Sequence, residues 1–120
     1  MSKYEIDHRN PESPVNLNEL AYNINQWAIE KGFFTPPGIF GEKNSDATLG
    51  KLMLIVTEIA EAAEAVRHGD LENFVEELAD TQIRLLQLCG AMGIDLDLAV
   101  DMKMMVNADR PHRHGKITTL

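Results

Sequence analysis

The chain has 120 residues and a mass of 13.4 kDa, one domain's worth of sequence and enough to bury a core. Apolar residues make up 44% and charged residues 25%, the balance of a folded chain rather than a disordered one. Eleven Lys and Arg against nineteen Asp and Glu give a net charge of −8, which counts against a nucleic-acid binder that relies on a basic face. No apolar run approaches a membrane span and the segment Met1 to Asn10 is polar, so neither a membrane partner nor a signal peptide is expected. Cys89 is the single cysteine and has no internal disulfide partner, which suits a reducing, cytoplasmic setting.

The first fifteen residues, with Pro11 and Pro14, read as an N-terminal arm. From Asn16, a residue suited to an N-cap, the positions Leu17, Leu20, Ala21, Ile24, Trp27 and Ala28 follow helical spacing as far as Lys31, with Gly32 as the stop. Residues 33–46 form a loop rich in Pro, Gly and Phe. Ser45 or Asp46 is expected to cap a second helix running to Arg67–His68 and halted by Gly69. Asp70 caps a third that runs to about Ala91, before Gly93. Asp95 caps a fourth, which must end near Arg110 because Pro111 disfavours the α conformation in the residue before it. Residues 111–120 form a C-terminal tail. No strand-like alternation appears, so the expectation is a single all-α domain, a four-helix bundle over residues 1–120.

Charge is distributed unevenly along these helices. Between Glu58 and Asp80 there are eight acids and one base, whereas Lys103 to Lys116 carries four bases and one acid. The second helix is apolar almost all round: Leu54, Ile55, Ala62 and Ala65 share a face with Lys51, Glu58 and Glu61, and Leu49, Met53, Val56, Ala60 and Ala63 lie opposite. A helix of that girth in so short a chain calls for a second layer from another subunit. It also surrounds Glu58 and Glu61 with apolar neighbours, and buried carboxylates need partners, of which a metal is the most economical.

Glu58–Glu61 and Glu77–Asp80 are two acid pairs spaced three residues apart on successive helices. Each pair shares a helix face, and antiparallel packing would bring both pairs around hard cations. Glu77 and Asp80 also share a stripe with Asn73, Arg84 and Gln87, so a solvated salt bridge to Arg84 accounts for them almost as well. On the fourth helix, Lys103, Asn107 and Arg110 lie within one narrow arc, either as a phosphate clamp or as cations that complement the helix dipole. Trp27, Phe33 and Phe34 are either plain core or a surface for stacking a nucleobase. A non-catalytic helical oligomerisation or regulatory module, its acids solvated, is the alternative function.

Taken together, LMLIVTEIAEAAEAVR, EELADTQIRLLQL and GIDLDLAVDMKMMVNADRPHRHGK, within residues 52–116, resemble the MazG-like nucleotide pyrophosphohydrolases, and QWAIEKGFF in the first helix is similar too. The resemblance implies an all-α enzyme that hydrolyses nucleoside triphosphates to monophosphate and pyrophosphate. It makes Glu58, Glu61, Glu77 and Asp80 ligands of Mg²⁺, with Mn²⁺ as a substitute. It makes Lys103, Asn107 and Arg110, helped by Lys116, the phosphate contacts, and it implies a homo-oligomer, a tetramer built as a dimer of dimers. One departure stands out: many members place a glutamate just before the first acid pair, where this chain has Thr57. Glu61, Glu64 and Glu76 are the candidates to serve as general base in its place.

Overall fold

A computed structural model describes residue 3, residues 16–32 and residues 45–110. Among the described residues there are four helices and no strand: α1 (Leu17–Glu30), α2 (Ser45–Arg67), α3 (Leu71–Met92) and α4 (Leu96–Ala108). The expected all-α, four-helix architecture is present. Two boundaries differ slightly from expectation. Ser45 already lies within α2 rather than capping it, and α4 closes at Ala108, so Arg110 stands just beyond the helix with its N–H donating to Asn107 O at 3.2 Å. The constraint that Pro111 places on Arg110 accounts for the second difference.

The connections are short because one device is used twice. At the end of α2, Gly69 adopts the left-handed conformation at φ 68°, its N–H donates to Val66 O and the Asp70 N–H donates back to Ala65 O at 2.9 Å. This pattern satisfies the last carbonyls of the helix and needs a residue free of a Cβ. Asp70 then accepts from Asn73 N and caps α3. At the end of α3, Gly93 takes φ 67°, the Ile94 N–H returns to Cys89 O, and Asp95 caps α4 by accepting from Leu98 N. The first link folds α2 and α3 into a tight antiparallel hairpin.

α3 is the central element, packed along both α2 and α1. Ile55 of α2 meets Leu88 and Met92 of α3 in the core, with Leu85 and Ile94 against them. On the other side, α1 lies so close that a Cβ added at Gly90 would collide with the Ala21 carbonyl. Beside that crossing, Gln87 Nε2 donates to Asn25 Oδ1 at 3.3 Å, and both residues are buried. A buried amide pair costs little only when its groups satisfy one another.

α4 is attached differently. It packs on α1, and the join is made at the two N-termini. Asp97 of α4 accepts from Leu17 N at 2.9 Å and Asn18 N at 3.2 Å, while Asn18 Oδ1 accepts from Leu96 N at 2.8 Å and Asp97 N at 3.2 Å. Each helix start therefore caps the other, and the carboxylates of Asp95 and Asp97 oppose two positive dipole ends. The Asn18 side chain also donates to Asp95, which with the Leu98 N–H holds Asp95 below its ordinary value. Further along, α4 buries no residue, and Met102, Met104, Met105 and Val106 are exposed. On α2 the buried residues are Ile55, Glu58, Ala62 and Ala65, one face, and Leu49, Met53 and Val56 on the opposite face lie open.

Candidate active site

The α2–α3 hairpin brings the two acid pairs together. Ligand oxygens of Glu58, Glu77 and Asp80 lie within 4.8 Å of one another, and Glu77 hydrogen-bonds Glu61 as well as Glu58. One acid of each pair is buried, Glu58 at 9% exposure and Glu77 at 8%, while Glu61 and Asp80 open to the surface. The cluster thus has an inner wall and an outer rim, rather than the uniformly enclosed first pair that the sequence suggests. Glu77 registers the crowding. Its hydrogen bond to Glu61, burial and the Glu61 charge, with further contributions from Glu58, push its pKa up from 4.5 to about 7. Carboxylates that share a proton at neutral pH carry more negative charge than their surroundings offset.

Arg84 does not form the solvated bridge to Glu77 and Asp80 that its stripe suggests. It reaches across to α2, where its Nε donates to Glu58 Oε1 at 3.2 Å. The stripe is only partly solvated: Glu77 and Gln87 are buried, whereas Asn73 and Asp80 are exposed. Lys51, half-buried, lies seven residues before Glu58 on the same face of α2. Burial, with the Arg84 charge second, pulls its pKa below the ordinary value. The Arg84 charge reaches Lys51 because α2 docks on α3. The one signal in the sequence was that Lys51 lies on the Glu58 face and Arg84 on the Glu77–Asp80 stripe.

The remaining candidates divide. Thr57, in the place of the additional glutamate, is exposed and donates its hydroxyl to Met53 O at 3.0 Å within its own helix. Glu64 is engaged on the outside of α2, with Arg67 at 2.8 Å and His68 at 3.5 Å. Glu76 is exposed on α3. Trp27 is half-exposed rather than core, and together with Asn23, Ile24, Ile83 and Asp80 it lines an open groove of about 410 Å³ between α1 and α3. An aromatic wall therefore stands next to an acid of the cluster. Phe33, Phe34 and Lys116 lie outside the described residues. Lys103 and Arg110 are exposed at α4, and no hydrogen bond or ion pair joins them to the four carboxylates among the described residues. Asn107 is half-buried, with its Oδ1 enclosed and lacking a partner among the described residues.

The all-α, four-helix chain fits the MazG-like pyrophosphohydrolase superfamily. Within that class, the family model of phosphoribosyl-ATP pyrophosphohydrolase matches residues 35–102, more than half of the chain. The chain belongs to that family, and hydrolysis of a phosphoanhydride bond is the general activity this supports. Pyrophosphohydrolases of the family typically depend on a divalent metal. No curated protein and no solved structure matches the chain significantly. No helix among the described residues is long and apolar enough to cross a membrane.

Proposed function

We propose that the protein is a Mg²⁺-dependent nucleotide pyrophosphohydrolase that cleaves (d)NTPs to (d)NMP and pyrophosphate by attack of water on the α-phosphorus. The observation that carries this reading is the convergence of Glu58, Glu61, Glu77 and Asp80 from two helices. Three of the four fit a hard cation directly: oxygens of Glu58, Glu77 and Asp80 within 4.8 Å of one another match the span of ligands around an ion bound at roughly 2.0–2.6 Å. The raised pKa of Glu77 reflects a charge excess that a cation would relieve. When bound there, Mg²⁺, or Mn²⁺ in its place, would polarise the phosphoryl oxygens and acidify the attacking water.

The chain's own residues supply the rest. Of the three base candidates, Glu61 is supported by its position at the open rim beside Glu77, and the ion pair with Arg67 argues against Glu64. Lys103, Asn107 and Arg110, with Lys116, hold the β- and γ-phosphates and stabilise the departing pyrophosphate. Trp27, with Phe33 and Phe34, stacks the base, and the groove beside Asp80 supports that role for Trp27. The protein works as a homo-oligomer, a tetramer built as a dimer of dimers. The open apolar faces of α2 and α4 support a partner copy, because patches of this kind are seldom left to water. It acts in the cytoplasm on free nucleotides, with neither nucleic acid nor membrane as partner.

The test is a panel of ribo- and deoxyribonucleoside triphosphates with phosphoribosyl-ATP included, each with Mg²⁺ and with products identified. Release of pyrophosphate from one or more free triphosphates, abolished by EDTA, is the expected result. Turnover of phosphoribosyl-ATP alone would move the substrate to the one in the family's name. No turnover of any member would favour a non-catalytic helical module.

A further inference from the structure

Arg84 stands where the acid cluster meets the Trp27 groove. Its Nε holds Glu58 at 3.2 Å, and its side chain also lines a recess of about 180 Å³ shared with Trp27, Asp80 and Gln87. The Glu58 side chain is 12% exposed and that of Arg84 is 41% exposed, so the carboxylate is fixed in the interior and the guanidinium covers it from the solvent side. Glu58 is also one of the three acids whose ligand oxygens meet within 4.8 Å. Two kinds of cation therefore compete for one carboxylate. A buried carboxylate without a counter-charge is costly, so the ion pair keeps Glu58 in place while no metal does so. Once a divalent cation engages Glu58, the guanidinium is left beside the recess with its planar fork of donors unoccupied. Phosphoryl oxygens, like carboxylates, match the geometry of such a fork.

We propose that Arg84 is an internal stand-in cation for the carboxylate cluster, and that it becomes a ligand for a substrate phosphate when a divalent cation takes over Glu58. The proposal rests on the metal-dependent reading above. It gives this end of the site a phosphate contact within the same hairpin, separate from Lys103, Asn107 and Arg110 on α4.

The experiment measures two affinities by calorimetry on full-length wild type, Arg84→Gln and Arg84→Lys: Mn²⁺ alone, then magnesium pyrophosphate at saturating Mg²⁺. Arg84→Gln removes both a competitor and a repelling charge, so Mn²⁺ should bind about fivefold tighter or more. It also removes the fork, so magnesium pyrophosphate should bind about tenfold weaker. Arg84→Lys keeps the charge, so its Mn²⁺ affinity should stay near wild type while pyrophosphate binding falls. This contrast serves even if Arg84→Gln does not fold. An ordinary structural ion pair predicts the opposite sign for the metal, because Glu58 would lose its positioning. Unchanged or weaker Mn²⁺ binding in Arg84→Gln, or undiminished pyrophosphate binding in both variants, would overturn the role of Arg84 and leave the metal site standing. Failure of wild type to bind Mn²⁺ would overturn the metal-dependent reading and the role of Arg84 with it.

Discussion

Along the α2–α3 hairpin, carboxylates from two helices meet at short range over a shared core, whereas α4 meets the rest of the chain at its first turn. The hairpin closes through a Gly69–Asp70 link that ends one helix and begins the next. α4 starts from a similar Gly93–Asp95 link but leaves its methionines open, with Met105 at 69% exposure. The comparison shows which half of the proposed chemistry a single chain assembles. The acid cluster needs two adjacent helices and nothing else. Lys103 and Asn107 sit on an element that buries none of its residues, and Arg110 just beyond it, so the hairpin does not fix their geometry.

The contrast yields predictions of decreasing size. Glu58→Gln strikes the inner wall of the cluster and should lower kcat by about three orders of magnitude or more with a modest change in KM, measured by pyrophosphate release. Gly90→Ala drives a methyl into the Ala21 carbonyl and should destabilise the fold by about 3 kcal/mol, read from urea unfolding. A loss below about 1 kcal/mol would mean that α1 can shift along α3. Arg110→Ala should raise KM for the triphosphate about tenfold with a smaller loss of kcat. Wild-type kinetics in a folded variant would leave Arg110 as a helix-end cation alone. Asp97→Ala removes the cap that α4 gives to α1 and should cost about 1 kcal/mol while sparing Mg²⁺ binding.

The smallest effect concerns pH. Glu77 has its pKa raised from 4.5 to about 7, so between those values the native protein keeps a proton that the unfolded chain has released. Stability then falls as pH rises. The contribution is complete below about pH 4.5 and lost as pH passes 7. In the metal-free protein, Glu77→Gln should flatten this part of the profile, followed as Tm against pH. Mg²⁺ competes with the same proton, so its stabilising effect should grow across the interval in wild type.

Helical spacing and the Gly and Asp punctuation made all four helices legible in the sequence, because these signals act within a few residues. The acid pairs were legible for the same reason, since residues three apart on a helix share a face whatever surrounds them. What escaped were relations across helices. Arg84 shares a stripe with Glu77 and Asp80, yet its partner is Glu58, 26 residues away, because α2 docks on α3 beside it. The mutual capping of Asn18 and Asp97 joins residues 79 apart, and periodicity carries no trace of it. The unequal burial within each acid pair likewise depends on where the α2–α3 seam meets solvent.

On the proposed reading, the α2–α3 seam is a seat for a divalent cation. The most direct measurement is the melting temperature of wild type and of Glu77→Gln, with and without millimolar Mg²⁺ at pH 8. A cation bound by the native state alone raises Tm by mass action, so wild type should gain several degrees and Glu77→Gln little or nothing. Equal gains in the two proteins, or no gain in wild type, would contradict the account.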